Sequence, residues 1–334
     1  MVKFFRNILF PFSISYKVIT TLRNLMFDLG ILKQTTPEIP SIGVGNLTVG
    51  GTGKTPVVDY LLEKLKSENG ITVISRGYGR KTKGLRVIAD GESPETVGDE
   101  PFMLFSNHPE VQFIVSEKRI NALNYLKKEN SGSNILIFDD VFQHRWVKPK
   151  VMIMLSDFNR PFFNDSHLPV GNLRESRSGA KRADIILVTK CPVDLNPYEK
   201  DEIKNRIAKY SDAKVYFSEM ISSIEHLKTP EKEIPGENVV LVSGLADNEQ
   251  FFESLKNKLK ISDHFKFPDH YKYSESDIKK ILNFNLPVVT TEKDIVKFKA
   301  FLTKDTNPDI YISKIMLKID DEDGFWDYLS PKLK

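Results

Sequence analysis

The sequence of 334 residues has a single cysteine, Cys191, which excludes an intramolecular disulfide and any multi-cysteine zinc or iron–sulfur site. One cysteine also fits a reducing compartment. The chain lacks an excess of either charge: 48 Lys and Arg against 45 Asp and Glu leave +3. That balance is too even for a dedicated nucleic-acid coat, and no nucleic-acid partner is expected. Glycine and proline, 18 of each, stand at ordinary levels, so collagen-like and low-complexity readings fall away. No short repeat period is visible either. The longest uncharged stretch near the N-terminus, Asn7 to Tyr16, is ten residues and is interrupted by Pro11. A bilayer-spanning helix needs about 20 apolar residues, and no small-residue cleavage site follows to suggest a signal peptide. What is present is a chain 40% hydrophobic and 28% charged, able to bury real cores. Its length corresponds to about two domains at roughly 150 residues each.

Composition shifts only at the start. From Lys3 to Lys33 the chain is rich in Phe, Ile and Leu and carries Lys3, Arg6, Lys17, Arg23 and Lys33 against one acid, Asp28. Two readings fit. A basic amphipathic segment lies in a headgroup plane, with apolar side chains toward the acyl region and cations on anionic lipid. Alternatively, a helix packs on the body of the protein and its basic face is simply solvated.

From Ile39 onward, apolar runs alternate with helical patterns. Ser41–Leu47, Ile71–Ser75, Val111–Val115, Asn134–Phe138, Val151–Leu155 and Ile185–Val188 read as buried strands. Pro56–Leu65 and Glu117–Lys128 carry apolar residues at helical spacing. Such alternation predicts an α/β fold with a mostly parallel sheet flanked by helices, and the glycine-rich run Gly50-Gly51-Thr52-Gly53-Lys54-Thr55 after its first strand makes that fold P-loop NTPase-like. After Lys190 the pattern continues in smaller pieces: strands at Val239–Val242, Pro287–Thr290 and Tyr311–Leu317, helices at Asn248–Leu259 and Ile278–Leu282. The expected division is an N-terminal segment 1–35, a nucleotide-binding core 36–190, and a smaller α/β domain 191–334 closing over the site.

The strongest chemical statement is the run from Ser41 through Thr48-Val49-Gly50-Gly51-Thr52-Gly53-Lys54-Thr55. It passes from a buried strand through a glycine-rich turn into an amphipathic helix, the context a phosphate loop requires. The glycines let backbone N–H groups turn toward a polyphosphate, and the helix start adds its positive dipole end. Lys54 would sit on the β/γ phosphates and Thr55 would offer its hydroxyl to Mg²⁺. Thr48 stands where the pattern usually has glycine, so either the turn tolerates threonine or the loop enters at another angle. Asp139 and Asp140 end the strand Asn134–Phe138 and supply carboxylates for the metal beside the loop. After the strand ending at Val188, Thr189-Lys190-Cys191-Pro192 has proline where a guanine-reading segment needs Asp, which favours ATP over GTP.

Several ordered segments now carry a resemblance: Asn46–Pro56, Ser75–Arg80, Gly98–Pro101, Phe138–His144, Pro169–Glu175 and Thr291–Asp294. Together they resemble the tetraacyldisaccharide 4'-kinase family of lipid A biosynthesis, over about residues 5 to 300. Val141 departs from the glycine usual after the acid pair. The resemblance implies ATP-dependent, Mg²⁺-supported phosphorylation of the 4'-hydroxyl of an acylated glucosamine disaccharide 1-phosphate. It also implies a peripheral seat on the cytoplasmic face of the bacterial inner membrane through the N-terminal helix.

A hydroxyl acceptor must lose its proton as it attacks, so a carboxylate is wanted near the γ-phosphate. Read locally, Asp99 caps a helix; the resemblance makes it the base, with His270 of Phe267–Tyr271 orienting it. Tyr78 reads locally as a hairpin aromatic, and the resemblance turns it toward the disaccharide. By the same resemblance Gln143, His144 and Arg174 line the acceptor cleft. Arg119, at a helix start where a cation opposes the dipole, would neutralise transferring phosphate or remain a solvated surface cation. The Glu292–Asp294 segment reads as a structural strand-to-helix turn. Two other classes stay in view. A nucleotide-hydrolysing switch or metallochaperone-type GTPase would show no acceptor dependence. A membrane scaffold with a decayed nucleotide site would not keep Lys54, Thr55 and Asp139 intact.

Overall fold

The apolar runs become strands of one twelve-stranded sheet in a computed structural model that describes residues 9–68, 70–229, 231–233, 238–245, 248–269, 271–298, 301–302 and 309–334. In chain order the strands are β1 (Ser41–Asn46), β2 (Ile71–Ser75), β3 (Arg86–Val87), β4 (Gln112–Val115), β5 (Ile135–Phe138) and β6 (Val151–Asp157). They continue as β7 (Ile185–Thr189), β8 (Lys214–His226), β9 (Asn238–Gly244), β10 (Lys260–Phe267), β11 (Val288–Thr291) and β12 (Ile310–Ile319). Across the sheet the order is β10-β9-β11-β12-β8-β7-β6-β1-β5-β2-β4-β3. Every neighbouring pair is parallel except β12 with β8 and β3 with β4. β1, β2, β5 and β7 are buried at every position, as strands covered on both faces must be.

The helices are α1 (Phe10–Asp28), α2 (Lys54–Lys64), α3 (Pro94–Val97), α4 (Asp99–Asn107), α5 (Arg119–Glu129) and α6 (Pro197–Ile207). After them come α7 (Asn248–Leu255), α8 (Glu275–Leu282), α9 (Glu292–Phe298) and α10 (Glu322–Leu329). α2 packs its stripe of Val57, Val58, Leu61 and Leu62 onto Ile42, Val44, Val73 and Ile153. The helix expected from Asn248 to Leu259 stops at Leu255.

Sequence patterning overlooked β8, and its role explains why. Residues 214–217 pair parallel with β7, whereas 218–226 run antiparallel to β12 with Ser218 opposite Ile319 and His226 opposite Tyr311. One strand thus carries the sheet from one half of the chain into the other. It is largely half-exposed in this stretch, with polar Glu219, Ser222, Ser223 and Glu225, so no buried-strand signature marks it. The C-terminal helix α10 then returns to α2. Tyr60 donates to Glu322 at 2.7 Å and accepts from Trp326 Nε1 at 2.8 Å, while Phe325 and Leu329 are fully buried in the core around α2.

α1 is inside out. It starts with Pro11 in its first turn, a position that tolerates the missing N–H. Toward the body it buries Ser13, Thr20, Asn24 and Phe27. Ser13 donates to the His167 carbonyl, Tyr16 to the Arg174 carbonyl, and Asn24 to the Glu175 carboxylate. Outward it presents Phe10, Phe12, Ile14, Val18, Ile19, Leu22 and Leu25, all exposed. Among the described residues no helix is long and apolar enough to cross a membrane.

Candidate active site

β1 lies between β5 and β6 and all three run parallel, so the loops leaving their C-terminal ends emerge side by side. In an open α/β sheet this is where ligands bind. The loop after β1 is the glycine run. Asn46 Nδ2 donates to Thr52 Oγ1 at 2.7 Å, and Thr189 Oγ1 donates to the Thr52 carbonyl at 2.9 Å. Val49 N donates to the Asn172 carbonyl at 2.8 Å, and Thr48 forms an antiparallel bridge with Leu173. This settles the departure at Thr48: its φ is not positive, and threonine suits its bridge-forming backbone. The left-handed positions fall instead on Gly50 (φ 95°) and Gly53 (φ 83°), where a side chain would be strained. α2 begins at Lys54 as its spacing predicts, with Thr55 half-buried in the first turn.

The loop after β5 brings Asp139 and Asp140. Ser75 Oγ, at the end of β2, donates to Asp139 at 2.9 Å. Burial pushes the Asp139 carboxyl above the usual carboxylate range, and the charge of Asp140 adds to it. Burial would raise Asp140 as well, but Lys54 and Arg174 outweigh it and hold Asp140 below the ordinary value. Lys54 Nζ lies 3.5 Å from Asp140 Oδ1, and Arg174 Nη1 donates to both Asp140 oxygens at 3.2 Å and to Gln143 Oε1 at 3.1 Å.

Arg119 is 2% exposed, not a solvated surface cation. Its guanidinium donates to the carbonyls of Asp139 and Asp140 at 3.2 and 3.1 Å, and burial pushes its pKa down to about 10. The Arg119 backbone N–H donates to His144 Nε2 at 3.3 Å. Burial, then Arg119 and Arg76, push that imidazole down to about 4, so it serves as a neutral acceptor.

Asp99 is the first residue of α4, and Gly98 before it has φ 100°. A Cβ on Gly98 would come within 2.9 Å of the Tyr78 carbonyl, so only glycine lets the Tyr78 loop pack on this helix start. The Tyr78 side chain is exposed. Asp99 Oδ2 lies 3.0 Å from Lys297 Nζ of α9, with both side chains largely buried. Nearby, Lys293 pairs with Asp269 at 2.7 Å and approaches Glu100 at 3.9 Å. His270 lies outside the described residues.

The structure therefore gathers Lys54, Arg119, Asp139, Asp140, Gln143, His144 and Arg174 into one network beside the glycine loop. Asp99 and Tyr78 form an adjoining group, joined to it through the segment that leaves β2. Sequence reading did not single out Glu175 or Lys297. Glu175 is fully buried and accepts from Gln143 Nε2 at 3.0 Å and Arg182 Nη2 at 2.8 Å as well as from Asn24 of α1. No periodicity could have shown this, because its partners come from three separate segments, at residues 24, 143 and 182. Lys297 could have been suspected from the short span linking it to Thr291–Asp294. Among the described residues no group of three or more His, Cys, Asp or Glu gathers as a metal cluster.

A buried central strand, a glycine loop with two left-handed turns, a lysine at the following helix start and a carboxylate pair on the next strand define an α/β protein built around an anion-binding loop. Comparison with known proteins makes this specific. A family model described as tetraacyldisaccharide-1-P 4'-kinase matches residues 5–334. The tetraacyldisaccharide 4'-kinase of Flavobacterium johnsoniae is 40% identical over 300 residues, covering 88% of each chain. That of Bacteroides thetaiotaomicron is 34% identical over 337 residues, 93% of this chain and 88% of its own. A crystal structure of LpxK from Aquifex aeolicus in complex with ATP superimposes with a TM-score of 0.81 at 30% identity, over 99% of this chain and 100% of that one. The chain belongs to the tetraacyldisaccharide-1-P 4'-kinase family.

Proposed function

We propose that the residues gathered at the head of the sheet carry out the family's reaction as a γ-phosphoryl transfer from ATP to a sugar hydroxyl at a membrane surface. The activity is that of a tetraacyldisaccharide-1-P 4'-kinase of lipid A biosynthesis. The acceptor is an acylated glucosamine disaccharide 1-phosphate and the product its 1,4'-bisphosphate. The observation that carries the reading is the contact of Lys54 with Asp140 across adjoining strand ends, directly beside the left-handed glycine turns. That arrangement puts a cation and a carboxylate where a polyphosphate would lie.

Residues 48–55 cradle the triphosphate, with Lys54 on its terminal groups. Arg119 adds positive field from behind the acid pair. The donor set suits a hard divalent ion: Asp139 and Asp140 are adjacent like charges, and burial with mutual repulsion holds Asp139 above its ordinary range. Asp139, Asp140 and the Thr55 hydroxyl would hold Mg²⁺, which when bound would offset phosphate charge. Asp99 accepts the proton of the 4'-hydroxyl as it attacks phosphorus, and His270 orients that carboxylate. The bridge from Glu100 through Lys293 to Asp269 supports this, because it ties the residue before His270 to the residue after Asp99. Tyr78, Gln143, His144 and Arg174 face the disaccharide.

The inverted face of α1 supports an interfacial seat on the cytoplasmic side of the inner membrane. Segment 1–35 forms this seat, 36–190 the P-loop core, and 191–334 a smaller α/β part that closes over the site through the β8–β12 ribbon. The test is incubation with labelled ATP, Mg²⁺ and the tetraacylated disaccharide 1-phosphate in detergent. A doubly phosphorylated lipid is the expected product; nucleotide hydrolysis independent of lipid would overturn the reading.

A further inference from the structure

The third loop at the head of the sheet, the one leaving β6, has no part in the account so far. It is built on a rigid base. Asp157, 3% exposed, accepts from the backbone N–H of Asn159 at 2.9 Å and of Arg160 at 3.3 Å. Its other oxygen pairs with Lys190 Nζ at 3.0 Å. Pro161 follows, and behind it Phe162 and Phe163 are buried. This base fixes the backbone of Arg160 while leaving its side chain exposed.

The side chain points at the glycine loop: a Cβ placed on Gly50 would lie 3.7 Å from Arg160 Nη2, the one atom within 4 Å of it. Gly50 is one of the two left-handed turns of the loop, four residues before Lys54. The cations that contact the acid pair are committed. Lys54 and Arg174 are engaged by Asp140, and Arg119 by two carbonyls. Among the described residues, no ion pair or side-chain hydrogen bond engages the Arg160 guanidinium. A cation on a fixed stem, over the one segment of this loop where a backbone can approach an anion closely, is placed for a ligand's charge.

Resting on the reading of residues 48–55 as the nucleotide's phosphate site, we propose that Arg160 is a catalytic guanidinium supplied in cis, which binds the transferring phosphoryl group. In the transfer the bond from the γ-phosphorus to the β–γ bridging oxygen breaks, with its electron pair leaving on ADP. The new bond forms to the acceptor oxygen, whose proton goes to Asp99. Negative charge spreads over the equatorial oxygens and the leaving oxygen as this happens. The planar donors of arginine reach two such oxygens at once, which a lysine cannot do. Because that charge develops in the transition state, the contribution falls on kcat more than on ATP affinity.

The experiment compares Arg160→Ala and Arg160→Lys with the wild-type full chain, using Mg–ATP and lipid acceptor in detergent. Both variants are expected to lose kcat by about 10²- to 10⁴-fold while ATP KM moves less than about fivefold. Trapping of ADP with aluminium fluoride, a mimic of the flying phosphoryl group, should be lost in both. A kcat within about threefold of wild type, or a raised KM at unchanged kcat, overturns the proposal. Lys54→Ala run alongside separates the two ways of failing. If it abolishes binding of a non-hydrolysable ATP analogue while Arg160→Ala keeps its kcat, the arginine assignment alone is wrong. If it leaves analogue binding intact, the loop reading fails and the arginine assignment falls with it.

Discussion

α1 and α2 use the same amino-acid classes in opposite directions. α2 turns Val57, Val58, Leu61 and Leu62 into the sheet and leaves Glu63 and Lys64 outside. α1 turns Ser13, Thr20 and Asn24 inward and leaves Phe12, Val18, Ile19 and Leu22 outside. A helix sorts its faces by what each one meets. Water accounts for the outer face of α2. It does not account for α1, whose apolar side would carry contiguous exposed surface of the kind that marks an interaction site. The polar inner face of α1 is equally specific, since its hydrogen bonds end on His167, on Arg174 and on Glu175, next to the residues around Asp140. One helix therefore serves the core and the glycine loop, and the other ties that same neighbourhood to an exposed apolar face.

The largest effects belong to the α2 side. Lys54→Ala removes the only lysine in contact with the acid pair among the described residues. It should cost about 10³-fold or more in kcat/KM, because charge at the phosphates is the main lever in phosphoryl transfer. Thermal unfolding should move far less, since Arg174 still pairs with Asp140 when Lys54 is gone. Asp99→Ala should lower kcat by about 10²- to 10⁴-fold with ATP KM moved much less. Equal loss in both parameters would make Asp99 a nucleotide or folding residue.

The α1 side breaks differently. Replacing Phe12, Ile19 and Leu22 together by glutamine should leave the unfolding midpoint in detergent-free buffer within about 3 °C of wild type, because exposed positions contribute little to stability. Binding to vesicles containing anionic lipid should fall by about 100-fold or more, each lost side chain being worth about 1.5–3 kcal/mol if buried in the acyl boundary. Sedimentation with vesicles reads this out, and unchanged binding would remove the interfacial reading of α1. Asn24→Ala attacks the inner face. It withdraws a donor from the fully buried Glu175 carboxylate and should destabilise the fold by about 1–3 kcal/mol, measured by denaturant titration.

Much of this contrast is legible in the sequence. The strand–glycine loop–helix run fixed Lys54 at the helix start, and the apolar strand ending in two acids fixed Asp139 and Asp140 beside it, because chain-local patterns determine both. The direction of α1 was not legible. Its polar residues at 13, 20 and 24 look like a solvated face until Glu175 and the carbonyls at 167 and 174 are brought to them from more than a hundred residues away. Arg119 was half legible for the same reason: its place at a helix start left a phosphate-neutralising cation and a solvated surface cation both open, and only the turn at Asp139 and Asp140 gives its guanidinium buried partners. β8 was missed because its strand partner β12 lies about a hundred residues downstream and leaves its faces half-exposed.

The smallest expected effect tests whether the neighbourhood shared by the two helices is electrostatically one unit. His144 is held neutral in the fold, pushed from 6.5 down to about 4 by burial, then by Arg119, Arg76 and Arg23, the last of these on α1. Between those values the unfolded chain binds a proton that the folded chain does not. Stability from this group is therefore fully present above pH 6.5 and is lost as pH falls from 6.5 toward about 4. His144→Gln keeps a polar side chain at this position but cannot titrate, so its unfolding midpoint should decline less than wild type across that window while matching its shape above it. Arg23→Gln, which removes one cation from α1, should soften the wild-type decline slightly by letting the imidazole accept a proton sooner. If Arg23→Gln leaves the pH dependence untouched, the two helices meet at this site only through hydrogen bonds and not through charge.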